Sequence, residues 1–328
     1  MNALPARRGF TLVELLVVTG LMASLLGLVV LGMQPSGNSQ VRQLSQALSS
    51  AILAAQTRAL GNDAGAAIVL DTGTGSIPAF ASNMIYNADV PPFVTGNIIS
   101  GIPPTPLSAT TATGTLSPTN ADPADLASGY KIRFSGTSPY LPPTSWMGLS
   151  SAVATSGSTA TALVSFRTGA NQTINNTVWP TAPSTGSLQF EVARFPAKST
   201  AALDTTRQAA IDFRYSGIGN TMWGTSGTIP VAITFDRNGG LDTVMTLGTA
   251  PTCSTPTAPV YLLIASVADI QSSQASQPLQ SQNSRWLAIN PSTGRVSVGA
   301  NVPVSGTTQT DVNSARANAR QGMTGGVK

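Results

Sequence analysis

Glu14 is a carboxylate placed inside a long apolar run. From Phe10 to Gly32 the chain has 23 residues with no other charge, which is long enough to cross a bilayer as a helix. A carboxylate within such a segment is energetically costly, and residues of this kind usually have a function. Arg7, Arg8 and Gly9 stand directly before the run. The spacing therefore makes Glu14 a candidate functional residue.

Other reactive side chains are few. The chain has no histidine and one cysteine, Cys253, which excludes His-based acid–base catalysis, Ser–His–Asp and Cys–His nucleophiles and zinc sites that contain histidine. One cysteine cannot form an internal disulfide or a four-cysteine metal site. Cys253 lies in the Pro/Thr-rich stretch TAPTCSTPTAP, which predicts a loop, and its nearest basic residue in sequence is Arg237. Nothing there favours a thiolate, so we interpret the thiol as incidental.

Carboxylates elsewhere in the chain form no obvious catalytic pair. The stretches GTGSIPA and GIGNTMW begin like a dinucleotide-binding fingerprint but lack its last glycine, and no GxxxxGK[ST] motif occurs. A glycosidase-type pair remains open, although the sequence singles none out. We therefore expect no catalytic residue, no cofactor and no enzymatic activity. The scattered carboxylates are Asp122, Asp125, Asp204 and Asp212.

Two binding sites are open as alternatives. The segment DRNGGLD offers Asp236, Asn238 and Asp242 to calcium, but Asn238-Gly239 between two apolar runs already predicts a hairpin turn. A contact with DNA would use basic residues near the C terminus, yet the net charge is only +4 and these residues form no clustered stripe. We therefore predict neither metal nor nucleic-acid binding. The basic residues concerned are Arg316, Arg320 and Lys328.

The composition favours an exported, β-rich protein. Only 9% of the residues are charged and 41% are hydrophobic, whereas roughly 25% charged residues is usual for soluble domains. Alternating apolar and polar residues predict half-buried strands, and two longer stretches predict hairpins that turn at Asn238-Gly239 and between Asn290 and Gly294. Short turns between such strands favour an antiparallel sheet. The predicted single strands are 65–71, 130–136, 161–169, 188–195 and 210–217.

One amphipathic helix is predicted before the strands. Pro35 and Gly37 predict a kink or break where the apolar run ends. Apolar residues then recur every three or four positions, which places them on one helix face, and Gly61-Asn62-Asp63 ends the helix. We expect this face to pack on the sheet. Its residues are Val41, Leu44, Leu48, Ile52, Ala55 and Ala59.

Long uncharged segments interrupt the predicted strands. Residues 100–129 are rich in Pro, Thr, Ser and Gly, which predicts a long loop. Residues 305–328 are rich in Gly, Ala and Asn, which predicts a mobile tail. The β-rich part is long enough for insertions to form a second lobe.

The N-terminal residues also predict an orientation. Two arginines before an apolar run hold the N terminus on the cytoplasmic side, so that everything after Gly32 lies outside the inner membrane. A secretory signal peptide would have a shorter apolar region and a small-x-small cleavage site. A plain membrane anchor would explain the length of the run but would give Glu14 no function.

The stretch GFTLVELLVV resembles the processing and assembly segment of type IV prepilins and of the pseudopilins of type II secretion. The resemblance covers about the first 30 residues and implies cleavage by prepilin peptidase after Gly9 and N-methylation of Phe10. It also implies that Glu14 pairs with the new amine of a neighbouring subunit during filament assembly. A weaker resemblance, to H-type minor pseudopilins and FimT-like pilins, covers LSSAILAAQTRAL and the strand that follows it.

The resemblance implies a pilin-like α+β fold, in which a long N-terminal helix packs on an antiparallel sheet with long loops. The expected segments are a cytoplasmic leader (1–9), a transmembrane and assembly helix (10–33), an amphipathic helix half (38–60), a β-rich head (61–304) and a flexible tail (305–328). The expected function is that of a minor pilin or pseudopilin in a type II secretion or type IV pilus-like filament. The alternatives are a filament-tip adhesin or DNA-uptake receptor and, further behind, an anchored hydrolase.

Overall fold

A computed structural model describes residues 12, 16–22, 37–62, 64–72, 77–100, 111–123, 126, 130–135, 147–156, 159–165, 189–203, 208–224, 230–247 and 252–324. Every strand pair among them is antiparallel, which confirms the α+β class. In chain order the elements are α1 (Gly37–Leu60), β1 (Ala66–Asp71), β2 (Ala81–Ser82), β3 (Met84–Asp89), β4 (Val94–Ser100), β5 (Thr111–Pro118), β6 (Lys131–Ser135), β7 (Met147–Ser156), β8 (Thr159–Ser165), β9 (Gln189–Ala193), β10 (Ala197–Leu203), β11 (Ala209–Ile218), β12 (Thr221–Met222), β13 (Val231–Phe235), β14 (Leu241–Thr246), β15 (Thr252–Ser254), β16 (Val260–Ser266), α2 (Val267–Ile270), α3 (Gln277–Gln280), β17 (Arg285–Ile289), β18 (Val296–Ala300), α4 (Gln309–Ala315) and α5 (Ala317–Thr324).

Helix α1 buries one face against two sheets. All six apolar residues that the sequence places on this face are buried, and Leu48 and Ile52 are completely so. They share one core with residues of β1, β11, β13, β16 and β17. Leu53 and Leu60, on the rest of the helix surface, are exposed. The periodic burial therefore comes from tertiary packing of an amphipathic helix.

The first sheet has the strand order β10-β3-β1-β13-β14-β15. Because successive side chains on a strand point to opposite faces, Ile68 and Leu70 of β1 join the α1 core while Ala67 and Val69 pack on the other side with Met245. The predicted hairpin of β13 and β14 is confirmed. Cys253 lies in β15 at the edge of this sheet, so the loop predicted around it is wrong at residues 252–254.

The second sheet is covered on both faces. Its strand order is β12-β11-β16-β17-β18, with β2 paired to β11, and the predicted hairpin of β17 and β18 is confirmed. In β16, Leu262 and Ile264 face the α1 core, whereas Tyr261 and Leu263 face a core that includes residues of α4 and α5. Burial on both faces explains why this strand is a continuous apolar run rather than an alternating one.

Residues 309–324 form two helices instead of the predicted mobile tail. Thr308 and Asp311 make a reciprocal capping box at the start of α4, which satisfies backbone N–H groups that the helix leaves free. Val312, Ala315 and Ala319 are completely buried against the second sheet. Their spacing of three and four is a helical signal, which the high Gly, Ala and Asn content of the segment obscures.

A closed barrel is inserted between two neighbouring strands of the first sheet. Its strand order is β4-β5-β8-β7-β6-β9, and it occupies the chain between β3 and β10, which pair with each other. This is the second lobe that the chain length allowed. Strand β5 falls within residues 100–129, so the predicted continuous loop is wrong at Thr111–Pro118. That stretch is held as a strand by pairing with β4 and β8.

Candidate functional site: the N-terminal assembly segment

The three residues predicted for processing and assembly, Gly9, Phe10 and Glu14, lie outside the described residues. Their roles therefore stay predictions. The described part of the same apolar run is helical at residues 16–22. Thr19, a polar residue within it, donates its hydroxyl to the carbonyl oxygen of Leu16 at 3.0 Å, a local bond from side chain to backbone within one helical turn.

The apolar side chains of this segment are exposed. Their exposed fractions range from 47% at Val18 to 79% at Leu12. Burial of apolar surface contributes about 25 cal/mol per Å², so the segment would gain stability from an apolar medium or from partner helices. Within the part of the chain that the structure describes, no helix meets the length and hydropathy needed to cross a membrane.

Asp236 is engaged in the turn of the β13–β14 hairpin. Its Oδ1 accepts hydrogen bonds from the backbone N–H groups of Asn238 and Gly240, each at 2.9 Å. Asp242 is exposed on β14. The described residues contain no group of three or more His, Cys, Asp or Glu side chains arranged to hold a metal ion. The turn accounts for Asp236 and Asn238 without a calcium ion.

Arg316, one of the basic residues weighed for a DNA contact, is buried in the structure. The side chain has 0% exposure, its guanidinium lies over the Tyr261 ring at 4.4 Å, and its Nε donates to Asn313 Oδ1 at 3.1 Å. Burial lowers the pKa of Arg316 to about 10. Arg320 is exposed, whereas Lys328 lies outside the described residues. The C-terminal arginines therefore do not form one exposed basic stripe.

Asp212 is a buried partner of Arg214. The Arg214 side chain donates to both carboxylate oxygens, with Nη2 2.6 Å from Oδ2 and Nε 3.0 Å from Oδ1. Burial raises the pKa of the Asp212 carboxyl and outweighs the hydrogen bonds and charge of Arg214, which act to lower it. Arg214 also stacks on Phe80 at 4.2 Å. These contacts fix β11 to its surroundings and explain Asp212 as a structural residue.

Of the three other carboxylates considered for a catalytic pair, one lies among the described residues. Asp122 is exposed, and Asp125 and Asp204 lie outside the described residues.

Comparison with known proteins matches the N terminus alone. Residues 4–30 match the family described as "Prokaryotic N-terminal methylation motif". No curated protein and no solved structure matches the chain. The matched motif indicates processing by prepilin peptidase and assembly with other pilin subunits, and it suggests a structural protein rather than an enzyme. At residues 4–30 the chain therefore carries the N-terminal signature of type IV pilins and pseudopilins.

Proposed function

We propose that the protein is a minor pilin or pseudopilin subunit of a type II secretion or type IV pilus-like filament. The observation that carries this proposal is the methylation motif at residues 4–30. In this proposal prepilin peptidase removes residues 1–9 and methylates the amine of Phe10. The apolar run from residue 10 to residue 33 then holds the subunit in the inner membrane until it enters the filament.

The charge pattern supports a defined orientation. Arg7 and Arg8 precede the run and favour a cytoplasmic N terminus, which leaves the folded head in the periplasm. The head begins with α1, which follows the apolar run and packs on antiparallel sheets. A long helix shared between filament and head is the expected pilin plan.

Glu14 has an energetic reason to act in assembly. An unpaired carboxylate near the end of a membrane span costs about 2–3 kcal/mol or more. The amine of Phe10 in a neighbouring subunit would relieve this cost, and the pair would set the axial register of the two helices. The carboxylate is thus unfavourable in an isolated subunit and favourable in an assembled one.

A Glu14→Ala variant tests the proposal. Cleavage after Gly9 and membrane insertion should be unchanged, because the peptidase acts on the leader and the Gly9–Phe10 junction. Co-purification with other filament subunits should fall severalfold, since the neighbouring amine loses its partner. Glu14→Asp, which keeps the charge, is the matched control and should retain most of the assembly. Equal incorporation of the alanine variant would contradict the role of Glu14.

A filament-tip adhesin is the second candidate. The inserted barrel favours it, because a lobe placed between two neighbouring strands adds surface without interrupting the α1 core. Glu14 favours a subunit that packs beneath another one, since a subunit at the extreme tip has no neighbouring amine to pair with. We therefore prefer the assembly role.

A further inference from the structure

A polar groove lies between the first half of α1 and the β17–β18 hairpin. Its volume is about 570 Å³. Arg42 and Arg285 give it two cationic groups from opposite sides, and Val298 contributes an apolar wall that is 40% exposed. Gln46 and Ser50 add amide and hydroxyl donors from the exposed surface of α1.

The two arginines of this groove have no acidic partner among the described residues. Elsewhere in that part of the chain, Arg58, Arg133 and Arg214 each pair with a carboxylate. The Nε atom of Arg285 is also buried without a hydrogen-bond partner. A buried donor left unpaired costs free energy, and the cost is larger for a charged group. The groove therefore presents two cationic groups that no carboxylate of the described residues neutralises, and a shift of the Arg285 side chain on anion binding would bring its Nε–H to an acceptor.

We propose that this groove binds a carboxylate side chain of the neighbouring filament subunit. A guanidinium matches a carboxylate in planar, two-point hydrogen bonding, and the second arginine supplies further charge. The exposed part of Val298 suits the aliphatic stem of a glutamate. The Arg42–Arg285 groove would then be a contact between heads, separate from the pairing of Glu14 in the apolar segment.

The position of the groove favours a neighbouring subunit as the source of the anion. Arg42 lies in the second turn of α1, near the end of the helix that follows the assembly segment. This inference rests on the proposed function, because bundling of the assembly segments brings other heads alongside this part of α1. The phosphate of a lipid headgroup is the competing anion. Displacement of a bound glutamate peptide by phosphate or by lipid vesicles distinguishes the phosphate from a subunit carboxylate.

The test uses the full chain in maltoside detergent and labelled N-acetyl-hexaglutamate as the probe, with binding followed by fluorescence anisotropy at low ionic strength. We expect saturable binding that weakens as salt is added. Arg42→Gln and Arg285→Gln should each weaken it about tenfold or more, because each removes a charge-assisted contact. Arg237→Gln, at an exposed position in the β13–β14 turn, is the matched control and should leave binding unchanged. Circular dichroism verifies that the variants are folded.

Three results would overturn the inference: no binding of the peptide, binding that Arg285→Gln leaves intact, or displacement by inorganic phosphate or phosphatidylglycerol vesicles at lower concentration than by unlabelled hexaglutamate. In cells, Arg285→Glu should reduce co-purification with other filament subunits while cleavage after Gly9 continues. If the wild-type chain is cleaved normally but does not bind hexaglutamate, the groove inference fails and the proposed function stands. If the chain is never cleaved, the proposed function fails whatever the groove binds.

Discussion

Gln56 on α1 donates a hydrogen bond from its Nε2 to the carbonyl oxygen of Gly239 in the β13–β14 turn, at 3.2 Å. The β17–β18 turn contacts the β13–β14 hairpin close to Gly239, because Leu241 N–H donates to the carbonyl oxygen of Pro291 at 2.8 Å. One turn from each sheet therefore lies beside the Gln56 side chain of α1. This junction joins the two sheets at the end of α1.

Gly294 permits that junction, so Gly294→Ala should destabilise the head by about 2–4 kcal/mol. Its φ of +63° disfavours any residue with a side chain, and an added Cβ would overlap Gln56 Nε2 and the Gly239 carbonyl oxygen. Gly224→Ala is the matched control, since its φ is +82° but nothing lies within 4 Å of an added Cβ. It should cost only about 1–2 kcal/mol. Denaturant unfolding of both variants measures the difference, and equal losses would mean that crowding at Gly294 is unimportant.

Leu48 should be a critical contact between α1 and the sheets. Leu48→Asp places a carboxylate in a site with 0% exposure and should cost about 3–5 kcal/mol, because no partner there satisfies the charge. Leu53→Asp makes the same change on the same helix at a position that is 56% exposed. It should change the unfolding free energy by less than about 0.5 kcal/mol. Similar melting temperatures for the two variants would refute the packing of this face.

The extent to which the sequence predicts this fold depends on how local each signal is. The helix face around Leu48 and Ile52 follows from spacings of three and four residues, and the β13–β14 hairpin follows from Asn238-Gly239. Strand β5 has no comparable signal, because Thr111–Pro118 becomes a strand through pairing with β4 and β8. The helices after residue 308 have a capping signal in Thr308 and Asp311, but the surrounding composition resembles that of a mobile tail.

The candidate sites also differ in how local their sequence signals are. Gly9, Phe10 and Glu14 are predictable because the motif is contiguous and does not require a folded head. Arg42 and Arg285 belong to distant parts of the chain, and only the packing of α1 beside β17 brings them to one groove. Arg316 is a basic residue in a polar segment, yet it is buried, because it lies at the end of α4 with its guanidinium over Tyr261. Composition does not reveal this helix.

The Asp212 carboxyl should make stability depend on pH. Burial raises its pKa in the folded state above the ordinary value of 3.8. At pH values between 3.8 and the folded-state pKa, the folded state therefore binds more protons than the unfolded state. The contribution of Asp212 to stability is therefore fully present below about pH 3.8 and is lost as the pH rises through the folded pKa. Asp212→Asn removes the titrating group.

Denaturant unfolding of the wild type and of Asp212→Asn at several pH values from 4 to 8 measures this effect. The wild type should lose stability relative to the variant as the pH rises, by about 1.4 kcal/mol for each unit by which the pKa is raised. A difference between the two proteins that stays constant, or that grows in favour of the wild type, would contradict the raised pKa.

The identity of the mature N terminus tests the central claim most directly. The motif at residues 4–30 predicts that the protein from cells with an active prepilin peptidase begins at Phe10 and carries a methylated amine. The same protein from a strain without the peptidase is the control and should retain residues 1–9. Mass spectrometry of the N-terminal peptide distinguishes the two forms. An unmethylated chain that still begins at Met1 in the presence of the active peptidase would contradict the account.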